Sequence, residues 1–357
     1  MPLMRQILKK LRSKLSKMQY NQEKTSVNLQ TLGVTESEFD DKKPVLFMLM
    51  GIPGCGKSFY AKWLADSRKA AGRKVCIIST DALRQEIYGD ENDKEHNADV
   101  FGIAKHRIKV ALAKGMDVIF DATNINKKRR TSFMKDFSSM TCKRVCCAIM
   151  TEYDECLKRN SNRERTVPEY VIRRMYTNWE PPHYQDGFDE IYFISGQNGK
   201  HSEKYSLMNL VSRQEGFLML DQENSHHSHT LGVHCLMAMI YVLISEQPNT
   251  RLQIAALLHD VGKEFTKSRL NHRGEFDGNY HYYQHHCVSS YESYFYLNGL
   301  AYSNIDIVHI ANLIYYHMHP HCSWKQSEKA MLRDKAKIGD DMFREIMLLH
   351  EADLAAQ

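Results

Sequence analysis

Between residues 45 and 195, short apolar runs alternate with longer stretches in which apolar positions recur at helical spacing. This alternation is typical of strands and helices built around a parallel sheet. The pattern predicts buried strands at Val45–Met50, Val75–Ser79, Val118–Asp121 and Val145–Met150, covering helices at Lys57–Ala71, Ala98–Lys114 and Lys127–Phe137, and a late strand at Ile191–Ile194.

From residue 226 to the end, strand signals give way to long stretches with helical periodicity. We therefore predict an α/β domain with a parallel sheet over residues 44–196, a connection over 197–224 and an all-α domain over 225–357. The clearest predicted helices of the second domain are Leu231–Ile244, Leu252–Leu258, Val288–Leu297, Ile305–Tyr315 and Phe343–Leu354.

Residues 1–43 precede the first predicted strand and begin with a basic stretch between Met4 and Met18. Apolar residues recur there at helical spacing, and a polar stretch follows. The favoured interpretation is a solvated helix or disordered leader. A phosphate-binding or partner-binding arm and a transit peptide are the alternatives.

The composition narrows the class of protein. Of 357 residues, 43% are apolar and 25% are charged, and no apolar run is long enough to cross a bilayer, so we expect a protein without a membrane partner. Nine cysteines without a Cys-x-x-Cys pair favour a reducing cytoplasm over a disulfide framework. The net charge of +5 permits a polyanionic partner without requiring one, and the 18 histidines are an unusual supply of metal ligands.

A phosphate-binding loop follows the first predicted strand. The segment fits G-x-x-x-x-G-K-S and opens a predicted helix, which is the context that makes this motif specific. Backbone amides and the helix dipole would cradle phosphates, the lysine would reach the terminal phosphates, and the serine hydroxyl would bind Mg²⁺. The predicted ATP site consists of Gly51, Pro53, Gly54, Cys55, Gly56, Lys57 and Ser58.

Polar residues at the ends of the next two strands indicate a kinase. Asp81 and Arg84 follow the second strand, where a carboxylate can accept a proton from an attacking hydroxyl and an arginine can bind an anionic acceptor. Asp121 ends the third strand, where it can support the magnesium shell. The alternative for Asp81 and Arg84 is an N-cap aspartate with a solvent-facing arginine, and the alternative for Asp121 is a cap of the next helix.

A basic stretch over residues 157–168 precedes another predicted helix. Positive charges on a mobile lid can close over a transferring phosphoryl group, whereas a solvated charged helix would look similar. Its occurrence after the cradle, Asp-x-x-Arg and Asp-x-Thr-Asn, in that order, favours the lid.

These motifs together resemble the polynucleotide 5′-hydroxyl kinases of phage and bacterial end repair, over about residues 45–195. The resemblance implies that Lys57 and Ser58 serve ATP and Mg²⁺. It also implies that Asp81 is the general base and that Arg84 contacts a phosphate of the acceptor strand.

The basic stretch carries the most family-specific part of the likeness. By resemblance, Arg159 and Arg163 are lid residues that face the ATP phosphates, and Asp121 matches a family aspartate after the third strand. Small-molecule P-loop kinases share the other parts.

Histidines and acids converge in the second half. His259 and Asp260 end an apolar run, where they would be costly in a core without a cation. His234 lies upstream on a predicted helix, and Asp353 lies near the end of the chain. Ligands that arrive from separate helices suit a metal phosphohydrolase.

This order of residues resembles the HD phosphohydrolase superfamily over about residues 226–355, in which the metal lies among four such side chains. The resemblance implies additional ligands or phosphate contacts at His285 and His317, with His286 as the alternative to His285. Lys263 has two open interpretations, proximity to the scissile phosphate and a solvated helix end. The remaining histidines, among them His321, are taken as surface or supporting residues.

The leading hypothesis is a nucleic-acid end-healing enzyme: an ATP-dependent 5′-hydroxyl polynucleotide kinase joined to a metal-dependent 3′-phosphatase or 2′,3′-cyclic phosphodiesterase. Its partners would be RNA or DNA ends and a separate ligase. The alternatives are a small-molecule or nucleotide kinase fused to a nucleotide phosphohydrolase, and an ATP-binding nucleic-acid sensor. Imidazole and carboxylate ligands suit Mn²⁺, Fe²⁺, Co²⁺, Ni²⁺ or Zn²⁺.

Overall fold

A computed structural model describes residues 43–93, 95–197, 205–207, 210, 220, 229–245, 249–298, 300 and 302–357. Nearly all of the predicted leader, most of the predicted connection, and His226 and His227 lie outside the described residues. The chain divides into two compact units, one with described residues 43–176 and 182–197 and the other with 177–181 and the described residues from 205 onward. The predicted domain boundaries stay predictions.

The first unit is built on a five-stranded parallel sheet with the order β2-β3-β1-β4-β5. β1 is central, which explains its uninterrupted apolar sequence, since every residue of it is buried. β2 lies at the edge, where Ile77 is 40% exposed. The strands are β1 Val45–Met50, β2 Val75–Ser79, β3 Asp117–Asp121, β4 Lys143–Met150 and β5 Glu190–Ser195.

Helices connect these strands and cover the sheet. Three of them match the predicted helices within two residues at each end, and shorter ones follow β2 and β4. They are α1 Lys57–Ala70, α2 Thr80–Tyr88, α3 Asn97–Ala113, α4 Lys127–Lys135, α5 Tyr153–Ser161 and α6 Glu169–Thr177.

The second unit is mostly helical. His234, His259, Asp260 and His317 are buried among its helices. Its helices are α7 Leu231–Ile244, α8 Thr250–Leu258, α9 Lys263–Thr266, α10 His285–Asn298, α11 Asn304–Tyr316, α12 Ser323–Gln326, α13 Glu328–Ile338 and α14 Asp340–Ala355. The predicted fold class, an α/β domain followed by a helical one, is confirmed.

One element departs from the predicted all-α second domain. β6 Ser268–Leu270 and β7 Phe276–His281 pair as an antiparallel hairpin between α9 and α10. The turn over residues 271–275 is polar and contains one glycine, and most of β7 is exposed, so no apolar periodicity in the sequence indicates the hairpin. Among the described residues, no helix has the length and apolarity to cross a membrane.

Candidate functional site

The phosphate cradle joins β1 to α1. Gly56 precedes α1 with φ of 100°, and no side chain caps this helix, so its first backbone amides can bind phosphate oxygens. Gly54 has φ of 85°, and a Cβ there would lie 2.3 Å from the Cys156 carbonyl oxygen. Lys57 Nζ donates to the carbonyls of Gly51 and Ile52, both at 3.0 Å.

The Asp-x-Thr-Asn segment after β3 contacts this cradle. Ser58 Oγ donates to Asp121 Oδ2 at 2.8 Å, which brings together the two residues predicted to support Mg²⁺. The Gly51 amide donates to the Thr123 carbonyl at 3.0 Å, and Asn124 Nδ2 donates to the Leu49 carbonyl at 2.7 Å. The backbone of Thr123 and the side chain of Asn124 therefore hold the end of β1 and the start of the loop in place, a role that was not predicted from the sequence.

Asp81 lies at the same edge of the sheet. Ser79, the last residue of β2, pairs with Asp121 and caps α2 through its side chain, so Asp81 falls in the first turn of that helix. Arg84 donates from Nη1 to Asp81 Oδ1 at 2.7 Å and from Nη2 to Asn97 at 2.7 Å. The half-exposed carboxylate is thus oriented by an arginine yet open to an acceptor.

The basic stretch contributes two arginines to this region, and one was not predicted. Arg159 donates from Nη1 to the Gly196 carbonyl at 2.8 Å, and a Cβ built at Gly56 would lie 3.6 Å from that nitrogen. The Arg163 side chain is exposed. Arg165 lies 3.6 Å from Asp81 Oδ2 and 3.0 Å from Glu91, although its position two residues after Arg163 gave no signal for this contact.

The second unit holds a cluster around His234, His259 and Asp260. The His234 and His259 Nε2 atoms are 3.2 Å apart, and they lie 3.6 and 3.5 Å from Asp260 Oδ2. Asp353 Oδ1 is 3.0 Å from His234 Nε2 and 3.6 Å from His259 Nε2. The four side chains of the predicted metal site therefore meet.

A second cluster shares Asp260 with the first. The Nε2 atoms of His285 and His317 are 3.3 Å apart and lie 3.2 and 3.7 Å from Asp260 Oδ1. His286 points elsewhere, with its ring centroid 6.4 Å from that of His317. The structure thus groups His285, rather than the alternative His286, with the predicted ligands.

Backbone carbonyls orient the four imidazoles. His259 Nδ1 donates to the Ala256 carbonyl at 2.7 Å, and His317 Nδ1 donates to Ile314 at 2.6 Å. His234 and His285 make equivalent bonds of 3.2 and 2.8 Å. A proton on each Nδ1 leaves Nε2 with the lone pair that a metal requires.

The arrangement fits divalent cations. Nε2 atoms that carry lone pairs would repel one another and the carboxylates in a buried site unless a cation lay among them. Asp260 Oδ1 is buried and makes no hydrogen bond of good geometry, despite the two imidazoles near it. Two imidazoles with a shared carboxylate form a donor set suited to transition metals.

Charges within the cluster keep the carboxylates ionised. Burial raises the pKa of Asp260, but Lys263 and His259 outweigh it and hold that pKa well below its usual range. Burial likewise raises the pKa of Asp353, but its bonds to histidines, His234 first among them, lower it on balance. Burial lowers the pKa of His317 to about 4, so this imidazole is neutral, as a ligand must be.

Two further side chains extend the site. Lys263, one of whose interpretations was a solvated helix end, is buried, with Nζ 2.7 Å from Asp260 Oδ2. His321, taken as a surface or supporting residue, lies 2.9 Å from Asp353 Oδ2 and contacts His350 at 3.0 Å. His350 was not predicted, since a histidine next to Glu351 on a helix gives no signal of its own.

Comparisons with known proteins cover both units. Residues 46–182 match a family described as an AAA domain, and residues 227–353 match the HD domain family. The L-seryl-tRNA(Sec) kinase of Methanococcus maripaludis is 30% identical over 141 residues, which are 39% of this chain. This chain spans only about half of that relative, 53% of its length.

Solved structures also resemble part of the chain. One is titled the Pnkp1/Rnl/Hen1 RNA repair complex, with 17% identity and a TM-score of 0.35, covering 40% of this chain and 46% of the other. Another is a gluconokinase from Sinorhizobium meliloti 1021, with 16% identity and a TM-score of 0.32, covering 44% of this chain and 85% of the other.

The two family matches, over residues 46–182 and 227–353, show that this chain combines a P-loop kinase domain with an HD domain.

Proposed function

We propose that the protein heals broken nucleic-acid ends, with the first domain phosphorylating a 5′-hydroxyl and the second removing a 3′-phosphate or opening a 2′,3′-cyclic phosphate. The observation that carries the proposal is the presence in one chain of a phosphoryl-donor cradle and a paired His/Asp cluster. Both reactions prepare ends for a separate ligase, and RNA and DNA are both candidate substrates.

In the kinase, Asp81 would accept the proton of the attacking hydroxyl. Its exposed carboxylate is held by Arg84 at 2.7 Å, and this arginine would bind a phosphate of the acceptor strand. Lys57 and Arg159 would neutralise charge on the transferring group, and Arg163 would join them from the lid. Ser58 and Asp121 would hold Mg²⁺.

In the HD domain, His234, His259, Asp260 and Asp353 would hold one divalent ion, and His285 and His317 would hold a second together with Asp260. When bound, such an ion would lower the pKa of water and so supply a nucleophile for phosphorus at neutral pH. Lys263, beside Asp260, would bind a phosphate oxygen of the substrate. The donor set admits Mn²⁺, Fe²⁺, Co²⁺, Ni²⁺ or Zn²⁺.

The seryl-tRNA kinase relative supports an acceptor attached to nucleic acid, since its name gives tRNA as the carrier of the phosphorylated group. The mild net charge of +5 is equally compatible with the second candidate, a small-molecule or nucleotide kinase fused to a nucleotide phosphohydrolase. A sensor with ATP binding but no turnover is a third candidate, disfavoured by the exposed Asp81 carboxylate.

The kinase proposal is tested by incubating the protein with γ-labelled ATP and 5′-hydroxyl oligonucleotides of RNA and DNA, in competition with nucleosides. We expect label on an oligonucleotide. Transfer to nucleosides alone would favour the second candidate, and transfer to neither would eliminate the end-healing kinase.

A further inference from the structure

The hairpin of residues 267–283 has no role in the chemistry described above. It connects α9, which begins at Lys263, to α10, which begins at His285. Both of these residues contact Asp260, so the two ends of the hairpin are anchored at the metal centre. The hairpin is therefore well located to bind something that the centre acts on.

Large apolar side chains are exposed on this hairpin. Phe276 is 69% exposed, Leu270 is 50% and Tyr283 is 45%. A two-stranded hairpin is marginally stable by itself, and side chains as exposed as these bury little apolar area against it. Several exposed apolar side chains on one short polar segment indicate an interaction site.

Cations flank an aromatic ring on the hairpin. Lys267 Nζ lies 4.0 Å from the ring centroid of Tyr280. Arg269 Cζ lies 5.5 Å from the same centroid, and its Nε donates to the Tyr280 hydroxyl at 2.8 Å. Arg273 adds an exposed cation at the turn. The two carboxylates there are Glu275 and Asp277, and His281 contacts the latter at 3.0 Å.

A second ring is held in a fixed orientation. Tyr283 stacks on His281 with centroids 5.3 Å apart and planes 4° from parallel. Its hydroxyl also accepts the His272 amide at 3.0 Å. Oriented rings beside cations are what single-stranded nucleic acid requires, since bases stack on the rings and phosphates pair with the cations.

The hairpin also reaches the centre through Tyr282. The carbonyl of this residue accepts the His285 Nδ1 proton at 2.8 Å, and the Lys263 Nζ lies 5.7 Å from its ring centroid. A strand that stacks on the hairpin would therefore lead toward Lys263 and Asp260.

We propose that the hairpin of residues 267–283 is a stacking platform for the single-stranded 3′-terminal segment of a nucleic acid whose end is processed at the metal centre. This inference rests on the proposed function of the HD domain. It assigns the preference for polynucleotides over mononucleotides to the hairpin.

The test is fluorescence anisotropy with a single-stranded oligonucleotide that carries a 3′-phosphate and a 5′-fluorophore, which keeps the 5′ end out of the kinase acceptor site. Phe276→Ala and Tyr283→Ala should each weaken binding roughly 5- to 150-fold, the range for loss of one stacked base. Arg269→Gln should reduce the slope of log affinity against log salt by about 0.7. Phe276→Trp should retain affinity.

Matched control variants lie on α13 of the same unit. Leu332 is 53% exposed, and the Arg333 side chain is 63% exposed, so Leu332→Ala and Arg333→Gln remove similar groups from another surface. We expect wild-type affinity and salt slope from both. The proposal would be overturned if the hairpin variants bound the oligonucleotide with wild-type affinity. It would also be overturned if the hairpin bound a protein partner but no oligonucleotide.

Phosphate release distinguishes a failure of the stacking platform from a failure of the proposed HD function. For hairpin variants, the ratio of turnover on a 3′-phosphorylated oligonucleotide to turnover on a nucleoside 3′-phosphate should fall. An unchanged ratio in variants of an active enzyme refutes the platform alone. A wild-type protein that releases phosphate from neither substrate, and opens no cyclic phosphate, refutes the proposed HD function and with it the platform.

Discussion

At the scale of single residues, we expect Arg165 and Arg163 of the basic stretch to serve two different tasks. Arg165 lies near Asp81 and Glu91, whereas the exposed Arg163 keeps the predicted role toward ATP. We expect Arg165→Ala to raise the KM of the 5′-hydroxyl acceptor roughly 10-fold, from loss of one partly exposed charged contact. Arg163→Ala should instead lower kcat and leave the acceptor KM unchanged. Steady-state kinetics that show the same effect for both would contradict this division.

Asp260 is shared by two His/Asp clusters, so substitutions should remove metal in steps. We expect about two bound divalent ions in the wild type, about one in His317→Ala and almost none in Asp260→Ala. The reason is that His317→Ala removes a ligand from one cluster, whereas Asp260→Ala removes a ligand from both, and metal affinity falls with each lost ligand. Elemental analysis after dialysis measures these contents. His319→Ala, which alters a nearby histidine outside the clusters, is the control.

Metal occupancy should also fall in acid. Burial lowers the pKa of His259, but Asp260 and neighbouring groups outweigh it and raise that pKa well above the usual value. A proton must therefore leave this imidazole before Nε2 can bind an ion. Titration of metal content against pH should show loss as the pH is lowered. Constant occupancy would contradict a role for His259 as ligand.

Asp117 carries a structural charge in the first unit. It is fully buried and accepts from Arg68 Nε at 2.9 Å, Arg73 Nη2 at 2.8 Å and the Val45 amide at 2.9 Å. Because Asp117→Asn leaves these cations without a counter-charge, we expect the free energy of unfolding to fall by about 3–5 kcal/mol. Glu86→Gln removes an exposed partner of Arg107 and should change little. Urea unfolding of each variant provides the measurement.

The contribution of Asp117 depends on pH with a defined sign. Burial raises its pKa, but its bonds to Arg73, Val45 and Arg68 hold the pKa below the ordinary value on balance. Its stabilisation is thus present above about pH 4, the unfolded value, and is lost as the pH falls through the depressed folded value. The difference between wild type and Asp117→Asn should shrink in that acid range.

The site residues that could be predicted from the sequence are those in motifs with a defined structural context. Ser58 lies in α1 after the loop that follows β1, and Asp121 ends β3; these neighbouring strands end at one edge of the sheet, and the two side chains meet there. No motif indicated that His321 or Arg165 belongs to a site, because the position of each side chain depends on a turn whose direction is set by packing. The one-residue choice between His285 and His286 also required the start of α10, since neighbouring helical residues point in different directions.

At the scale of elements, the cradle depends on the close approach of α5 to Gly54. A Cβ at Gly54 would lie 2.3 Å from the Cys156 carbonyl oxygen, and φ is 85°. We expect Gly54→Ala to weaken ATP binding at least roughly 10-fold, because the loop or α5 must shift. Gly72→Ala, with φ of 76° but nothing within 4 Å, imposes only backbone strain. Isothermal titration with ATP separates the two; equal loss in both variants would contradict a steric cause.

Elements with strong periodicity were predicted well, and short polar ones were not. The predicted β1 and α7 coincide with the observed Val45–Met50 and Leu231–Ile244, because long buried runs determine their own structure. α2 is only nine residues long and begins at the Ser79 cap rather than with a long apolar run. The hairpin strands are short, polar and largely exposed, so no apolar periodicity indicates them.

At the scale of the whole molecule, two sets of motifs in order along the chain were sufficient for the fold class. The cradle requires a strand followed by a helix, and widely spaced histidines require several helices to meet. The acceptor is not determined in this way, since P-loop kinases of similar fold act on different hydroxyls. Only an assay of the 5′ and 3′ ends of a substrate tests whether the protein heals nucleic-acid ends.

The most direct measurement is an end-group assay on RNA that carries a 5′-hydroxyl and a 2′,3′-cyclic phosphate, with ATP and a divalent metal. Wild type should phosphorylate the 5′ end and open the cyclic phosphate. Asp81→Ala should lose the first activity by about 100- to 10,000-fold, the range for loss of a general base, and Asp260→Ala should lose only the second. A wild type that modifies neither end, or a single substitution that abolishes both activities in a folded protein, would contradict the account.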